Sequence, residues 1–236
     1  MSLIKIKFSE RIKRTPTIES FRFFPQEKLD FIPGQFLQII FDEKNPQNKE
    51  LNKYLSFSSS PAKDCIEVTK RLSESLFSQR LKNLKINDTI LAKAPLGSCI
   101  FKEDYKKIAF LVGGIGVTPV ISILEHITDK KLETDVLLLY SNKTEEEIAF
   151  KSELDLWQAG NKNIKILYLV TDYEPKSKNC LFGHIDKDLL AGKIKDLNER
   201  MIFIFGPPKM VEAMKNLCLK ISCREENIKT ESFLGY

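Results

Sequence analysis

The chain has few of the residues that build disulfide frameworks and metal centres. Its 236 residues include five cysteines and two histidines, and no Cys-x-x-Cys pair is present. An odd, scattered set of thiols argues against a disulfide framework and is typical of a reducing compartment, so we predict a cytoplasmic protein. The same scarcity argues against a zinc or iron–sulfur site, and we predict no metal.

Long apolar runs are missing as well. The longest uncharged stretch, Ile108–Leu124, is interrupted by three glycines and a proline, and it is shorter than the ~20 residues that a spanning helix needs. Lys5, Lys7 and Glu10 interrupt the start of the chain, so no signal-peptide pattern is visible. We therefore expect no membrane span.

Acidic residues are fewer than basic ones, so the formal net charge is +5 and the sequence pI is about 8.8. The lysines are spread along the chain without a basic–aromatic cluster, which argues against nucleic acid as a partner. A spread positive charge is compatible with a solvated surface or with an acidic protein partner.

The pattern of apolar residues divides the chain in two. Residues 1–102 predict a six-stranded antiparallel β-barrel with one helix over 75–84, because short alternating runs are separated by turn residues. Residues 103–236 predict an α/β doubly wound parallel sheet of the Rossmann-like kind, because apolar strands alternate with helical segments. The charged segment 102–107 marks the boundary.

The first apolar strand of the second half, 108–112, runs into a glycine-rich turn. Gly113, Gly114 and Gly116 are followed by Thr118, which we predict as the helix cap, and by Pro119 in the first helical position. Glycines and a helix N-terminus favour a bound phosphate. A tight strand–helix turn without a ligand is the alternative.

Seven short motifs, in order along nearly the whole chain, resemble those of the ferredoxin–NADP reductase superfamily of flavoproteins. They are Phe31-Ile32-Pro33-Gly34-Gln35-Phe36, Lys53-Tyr54-Leu55-Ser56-Phe57-Ser58, Ser75-Leu76-Phe77-Ser78, Pro95-Leu96-Gly97, Gly113–Pro119, Phe205-Gly206-Pro207-Pro208-Lys209-Met210 and Glu231-Ser232-Phe233-Leu234-Gly235-Tyr236. The resemblance implies an FAD-binding barrel, an NAD(P)-binding sheet and a flavin in the cleft between them, with FMN as the less favoured flavin.

The resemblance also implies roles for individual residues. It places Ser56 beside the flavin ring, Glu231 near the same site and the ring of Tyr236 over the flavin, and these three are the predicted catalytic residues. The other predicted flavin ligands are Lys53, Leu55, Phe57, Ser58, Ser59, Lys70, Ser75 and Ser78. The predicted nucleotide ligands are Gly113, Gly114, Gly116, Thr118, Pro119, Ser141, Lys143, Gly206, Pro207 and Met210.

Four positions depart from the family pattern. Lys53 stands for an arginine, Leu55 for a tyrosine, Ser75 for a glycine and Phe205 for a cysteine. Ser78 also reads as an ordinary N-cap serine, since it lies near the start of the predicted helix.

Coenzyme choice is predicted from the end of the second parallel strand. Ser141 and Lys143 replace the acid that binds the ribose of NAD, which favours NADPH over NADH. Thr144 and Glu147 also have the spacing of a capping box.

The predicted function is therefore an FAD-dependent NAD(P)H oxidoreductase. It would pass a hydride from nicotinamide to flavin and electrons to a separate acceptor, such as ferredoxin, flavodoxin, another small acidic electron carrier or a small molecule. Two alternatives stay open: a flavin-carrying electron-transfer or regulatory subunit with weak activity alone, and a nucleotide-binding α/β protein without flavin.

Overall fold

A computed structural model describes residues 2–194 and 196–233. The described chain forms two compact units. Unit 1 contains the chain up to Phe101 together with Thr118–Asp129, and unit 2 contains Lys102–Val117 and the chain from Lys130 onward. The sequence boundary placed the segment Thr118–Asp129 in the second half of the chain, whereas its contacts group it with unit 1.

Unit 1 is built on a six-stranded antiparallel sheet with the order β4-β3-β6-β1-β2-β5. Its strands are β1 (Ser2–Lys13), β2 (Ile18–Pro25), β3 (Phe36–Ile40), β4 (Asn52–Ser56), β5 (Ile66–Arg71) and β6 (Thr89–Leu96). The two edge strands meet through the isolated bridge between Phe57 and Val68. This bridge curls the sheet on itself, and the predicted antiparallel fold class is confirmed.

Alternation along the strands of unit 1 separates an interior from an outer face. Ile6 and Phe8 of β1 and Leu37 and Ile39 of β3 belong to one buried apolar cluster, whereas the intervening Lys7 is exposed. Successive side chains on a strand point to opposite faces, so the alternation in the sequence fixes which face is buried.

Helix α1 (Leu76–Lys82) follows β5 and is capped by Ser75, whose hydroxyl accepts a hydrogen bond from the amide of Ser78 at 3.3 Å. The alternative interpretation of Ser78 as the N-cap is therefore wrong. Ser78 lies inside the first turn and is fully buried. The helix is also shorter than predicted, because Asn83 ends it as the C-cap.

Unit 2 is built on a six-stranded parallel sheet with the order β10-β9-β8-β7-β11-β12. Its strands are β7 (Lys107–Gly113), β8 (Asp135–Asn142), β9 (Ile164–Val170), β10 (Cys180–Phe182), β11 (Met201–Gly206) and β12 (Ile228–Ser232). The remaining helices of the chain are α2 (Val117–Asp129), α3 (Lys151–Gly160), α4 (Lys187–Lys193) and α5 (Pro208–Lys220). The alternation of strand and helix confirms the predicted parallel α/β architecture.

Several predicted boundaries are corrected. A 3₁₀ turn over Gly114–Gly116 leads directly into α2, so Thr118 lies within the helix and does not cap it, and Pro119 is the third helical residue. The capping-box spacing predicts a helix that starts after Thr144, but α3 begins only at Lys151, because Phe150 has a left-handed backbone with φ of 60°. Thr144 makes no side-chain cap hydrogen bond, so the capping box is not formed.

Within the described residues, no helix is both long enough and apolar enough to cross a membrane.

Candidate functional site

The first candidate site lies in unit 1, on β4 and the segment that follows it. Ser56, the last residue of β4, is 3% exposed. Its hydroxyl oxygen is buried and has no hydrogen-bond partner among the residues that the structure describes. A buried polar atom that lacks a partner is uncommon, because its desolvation costs about 1–3 kcal/mol. The hydroxyl of Ser56 is thus available to a ligand atom.

Two lysines on the edge strands form a positive pair. Lys53 lies on β4 and Lys70 on β5, and both are half-buried. Burial is the larger cause that lowers the pKa of Lys70 below its ordinary value, and the positive charge of Lys53 is the second. In the described part of the chain, no carboxylate pairs with either ammonium group. Two neighbouring cations without a counter-charge fit a polyanion such as a diphosphate, and so the residues present fit the phosphates of FAD.

The serine segment after Ser56 is held by β5. The hydroxyl of Ser58 lies 2.7 Å from the hydroxyl of Thr69, and the hydroxyl of Ser59 accepts a hydrogen bond from the amide of Glu67 at 2.9 Å. Phe57 is fully buried, and its ring stacks on Phe31 with centroids 3.9 Å apart. The predicted ligands Phe57, Ser58 and Ser59 therefore already have protein partners, which fix the segment around the free hydroxyl of Ser56.

Helix α2 holds the same serine segment from another side. Ser122 donates a hydrogen bond to the carbonyl of Ser59 at 2.7 Å, and the carboxylate of Glu125 accepts one from the amide of Ser60 at 2.6 Å. Lys63 forms an ion pair with Glu125 at 3.4 Å. This support is not predictable from the sequence, since nothing in the spacing of Ser122 and Glu125 relates them to Ser59 and Ser60, which lie far away along the chain.

The departures from the family pattern have visible structural consequences in unit 1. Leu55, which replaces the tyrosine, packs against the apolar interior of the barrel. Tyr54 does not take its place, because its side chain lies on the outer face, is 62% exposed and contacts the ring of Phe36 edge-on. Ser75 caps α1 and shares hydrogen bonds with Ser73 and Ser78.

The second candidate site lies in unit 2, at the carboxyl ends of β7 and β11. Gly114 has a positive φ of 54°, and no atom lies within 4 Å of the position that a β-carbon would take. Gly116 is different, because a β-carbon there would lie 2.5 Å from the carbonyl oxygen of Phe205. Gly114 therefore borders open space, whereas Gly116 is required for packing of the turn against β11.

The glycine–proline segment after β11 meets the same turn. A β-carbon on Gly113 would overlap the sulfur of Met210 and lie 3.3 Å from Pro207. A β-carbon on Gly206 would lie 3.3 Å from the backbone nitrogen of Gly113. The structure thus brings together five of the predicted nucleotide ligands in unit 2, namely Gly113, Gly116, Gly206, Pro207 and Met210. Ligands bind at the carboxyl ends of strands in open α/β sheets.

The end of β8 carries the residues predicted to select the coenzyme. Ser141 is half-buried and Lys143 is exposed. Between them, Asn142 is 5% exposed, and neither side-chain amide atom has a partner among the described residues. The sequence prediction did not single out Asn142. A buried amide without partners needs a bound water or a ligand atom to satisfy it.

Glu231 lies near the end of β12, in register with Phe205 of β11. Burial raises the pKa of the half-buried Glu231 carboxyl to about 7. A carboxyl with this pKa exchanges a proton near neutrality, which suits a general acid or base. Phe205, which replaces the family cysteine, is fully buried against Phe203 and Phe110. The prediction for Tyr236 lies outside the described residues.

Both halves of the chain match domains of known oxidoreductases. Residues 4–101 match the model of the oxidoreductase FAD-binding domain, and residues 110–216 match that of the oxidoreductase NAD-binding domain. The matches confirm the predicted pair of cofactors, FAD and NAD(P)H. Helix α2 belongs by sequence to the NAD-binding match although it packs in unit 1.

Curated relatives are similar over much of the chain. NADH-cytochrome b5 reductase 2 of Debaryomyces hansenii is 31% identical over 172 residues, which are 71% of this chain and 57% of that protein. An NADH-cytochrome b5 reductase-like protein of Arabidopsis thaliana is 27% identical over 216 residues, or 88% and 66% of the two chains. The chain thus spans about half to two thirds of the length of these relatives.

Solved structures share the fold. The FAD/NAD-binding domain of nitric oxide dioxygenase from Vibrio cholerae superposes with a TM-score of 0.84 at 18% identity and covers 98% of both chains. The cytochrome b5 reductase domain of Ulva prolifera nitrate reductase gives a TM-score of 0.83 at 21% identity, with 98% and 97% covered.

Proposed function

The chain belongs to the ferredoxin–NADP reductase superfamily, and we propose that it is an FAD-dependent NAD(P)H oxidoreductase that passes electrons to a separate acceptor. The observation that carries the proposal is the orphaned, buried hydroxyl of Ser56 on the strand that also carries Lys53. A protein that only binds a nucleotide in unit 2 requires neither the unpaired hydroxyl of Ser56 nor the cation of Lys53 in the barrel.

The residues of unit 1 bind and orient the flavin in this proposal. Lys53 and Lys70 bind its phosphates, and the hydroxyl of Ser56 donates a hydrogen bond to the flavin ring. Ser58 and Ser59 hold Ser56 in place through β5, and Ser75 and Ser78 line the start of α1. When bound, FAD supplies the two-electron chemistry, and the protein supplies position and electrostatics.

The residues of unit 2 bind the nicotinamide coenzyme. The amide groups of the Gly113–Gly116 turn face the coenzyme phosphates, with Thr118 and Pro119 on the helix that follows. Gly206, Pro207 and Met210 form the neighbouring wall. Glu231, half-protonated near neutrality, gives or takes the proton that accompanies electron transfer, and Tyr236 keeps its proposed role over the flavin.

NADPH is the proposed coenzyme. The side chains at the end of β8 are Ser141, Asn142 and Lys143, so a cation and two polar groups stand where an acid would bind the ribose of NADH. We expect Lys143→Glu to lower kcat/KM for NADPH while sparing NADH. The loss is about tenfold or more, because a bond to a charged group is worth about 1.5–3 kcal/mol. An unchanged NADPH/NADH ratio would assign Lys143 to the solvated surface.

The proposed acceptor is a small acidic electron-carrier protein, since the chain has a net charge of +5. The name of the Debaryomyces relative, a cytochrome b5 reductase, supports a redox protein as the acceptor class. Two observations favour a second function, a flavin-carrying electron-transfer subunit. Leu55 leaves the flavin without an aromatic stacking partner from β4, and a relative is named the electron transfer component of anthranilate 1,2-dioxygenase.

Purification and turnover test the proposal. We expect a yellow protein with one FAD per chain, released on denaturation and identified by chromatography against FMN. Turnover of NADPH with ferricyanide as acceptor separates the two functions, because a reductase turns over rapidly alone and a subunit only weakly. A colourless protein that takes up neither FAD nor FMN would refute both.

A further inference from the structure

A pocket on the outer face of unit 1 lies apart from the residues proposed to bind flavin. One row of side chains crosses the neighbouring strands β1, β6, β3 and β4. In this row Leu3 pairs with Lys93, Lys93 pairs with Gln38, and Gln38 pairs with Tyr54. The segment 46–49 forms the facing wall. The open pocket has a volume of about 360 Å³, which lies in the range of small-molecule sites. We call it the outer pocket.

The wall of the outer pocket is preorganised. Asn52, which lines it, is 4% exposed, and its amide oxygen accepts hydrogen bonds from the amides of Phe41 and Asp42, both at 3.0 Å. Its amide nitrogen donates to the carbonyls of Asp42 and Asn45. Four hydrogen bonds from one buried side chain hold the segment in a fixed conformation.

The floor of the outer pocket lacks the side-chain hydrogen bonds that hold its wall. Gln38 is 8% exposed as a whole residue, yet its side-chain amide makes no hydrogen bond to any residue that the structure describes. Its amide reaches the pocket that it lines. The amide is accessible from the pocket and offers an unpaired donor and acceptor to a ligand atom.

The charged residues that line the outer pocket have one sign. Lys49 and Lys93 line it, no carboxylate does, and neither lysine has an ion pair within the described chain. The exposed side chains of Tyr54 and Leu3 provide an aromatic face and an aliphatic edge at the two ends of the row. Cations, one free amide and a flat apolar surface fit an anion attached to a planar ring.

The outer pocket is separate from the flavin-facing residues of β4. Lys53 and Leu55 alternate with Tyr54 along the strand, and Leu55 packs into the interior while Tyr54 lies outside. We propose that the outer pocket binds a small aromatic carboxylate, with its carboxylate on Gln38, Lys93 and Lys49 and its ring against Tyr54.

The test uses naphthalene-2-carboxylate as the probe and the neutral naphthalene-2-carboxamide as its match. Both are titrated into the flavin-loaded, ¹⁵N-labelled full chain, and binding is followed by the side-chain amide resonance of Gln38, which Gln38→Leu identifies by removing it. We expect the carboxylate to shift this resonance. Lys93→Gln should weaken carboxylate binding about tenfold, whereas Lys5→Gln, an exposed lysine on the same face that does not line the pocket, should not.

Three outcomes would overturn the proposal. One is equal binding of carboxylate and carboxamide, because the pocket would then be apolar only. The second is a shift that neither Lys93→Gln nor Tyr54→Ala changes. The third is a shift caused by hexaglutamate but not by the aromatic carboxylate, which would make this face a docking surface for an acidic protein. Flavin absorbance and far-ultraviolet circular dichroism verify that each variant is folded and loaded.

Discussion

Replacing Lys53 by glutamine probes the proposed phosphate site of the flavin. The substitution removes one charge from the Lys53–Lys70 pair and keeps a side chain of similar length. A hydrogen bond to a charged group contributes about 1.5–3 kcal/mol, so we expect FAD to bind about 10- to 100-fold more weakly. Flavin release, followed by the rise of flavin fluorescence on dilution, measures the change. Affinity for NADPH should change much less, because Lys53 belongs to unit 1.

The same variant has an opposite effect on the flavin-free protein. Lys53 helps to lower the pKa of Lys70 from its ordinary value of 10.5, so removing Lys53 should raise it. A lowered lysine pKa in the folded state disfavours folding at every pH at which the ammonium is charged, so relief of that shift favours folding. We expect the apoprotein of Lys53→Gln to be at least as stable at neutral pH as the parent, while the loaded protein is less stable.

Lys7→Gln serves as the control, since Lys7 is an exposed lysine on β1. It should leave flavin affinity and the stability of both forms unchanged. The reasoning fails if Lys53→Gln lowers the affinities for FAD and NADPH equally. It also fails if the variant destabilises the apoprotein, because Lys53 would then support the fold and not the ligand.

Three further results are expected. Gly114→Val should abolish reduction by NADPH while the protein stays folded and yellow, with a moderate loss of melting temperature because valine resists a φ of 54°. Gly116→Val should lower the melting temperature further, since its β-carbon would overlap the backbone of Phe205; equal melting temperatures would contradict this. Because the pKa of Glu231 is raised from 4.5 to about 7 in the folded state, its contribution favours folding at low pH and is lost as the pH rises between these values. Glu231→Gln should flatten that pH dependence of thermal unfolding, and an unchanged slope would exclude the carboxyl as its source. Glu125→Gln should speed amide exchange in the serine segment and accelerate flavin loss, and unaltered exchange would remove α2 from the support of that segment.

Patterns with a fixed physical period predicted most of the fold. Alternation at Ile6, Lys7 and Phe8 reflects one buried face, and the continuous apolar run of β7 reflects burial on both faces of a parallel sheet. The short strands β10 and β12 were not predicted. Their burial is set by neighbouring strands, and too few residues are involved to display a period.

Local backbone geometry explains the wrong helix starts. The 3₁₀ turn at Gly114–Gly116 begins the winding before Thr118, and the left-handed Phe150 delays α3. The left-handed backbone at Phe150 does not follow from residue propensity, because phenylalanine seldom adopts positive φ.

The candidate site was predictable where it depends on strand ends and glycines, and was not where it depends on tertiary contacts. The clustering of Gly113, Gly206 and Met210 follows from adjacent strands in a parallel sheet. The support of Ser60 by Glu125 joins distant parts of the chain and leaves no trace in local spacing.

Single-turnover reduction of the bound flavin tests the central proposal most directly. The purified protein is mixed anaerobically with NADPH or NADH in a stopped-flow instrument, and the absorbance of oxidised flavin is followed. We predict complete bleaching by both coenzymes, faster with NADPH, and loss of bleaching in Gly114→Val with the flavin still bound. A yellow protein that neither coenzyme bleaches would contradict the assignment of this chain as an NAD(P)H oxidoreductase.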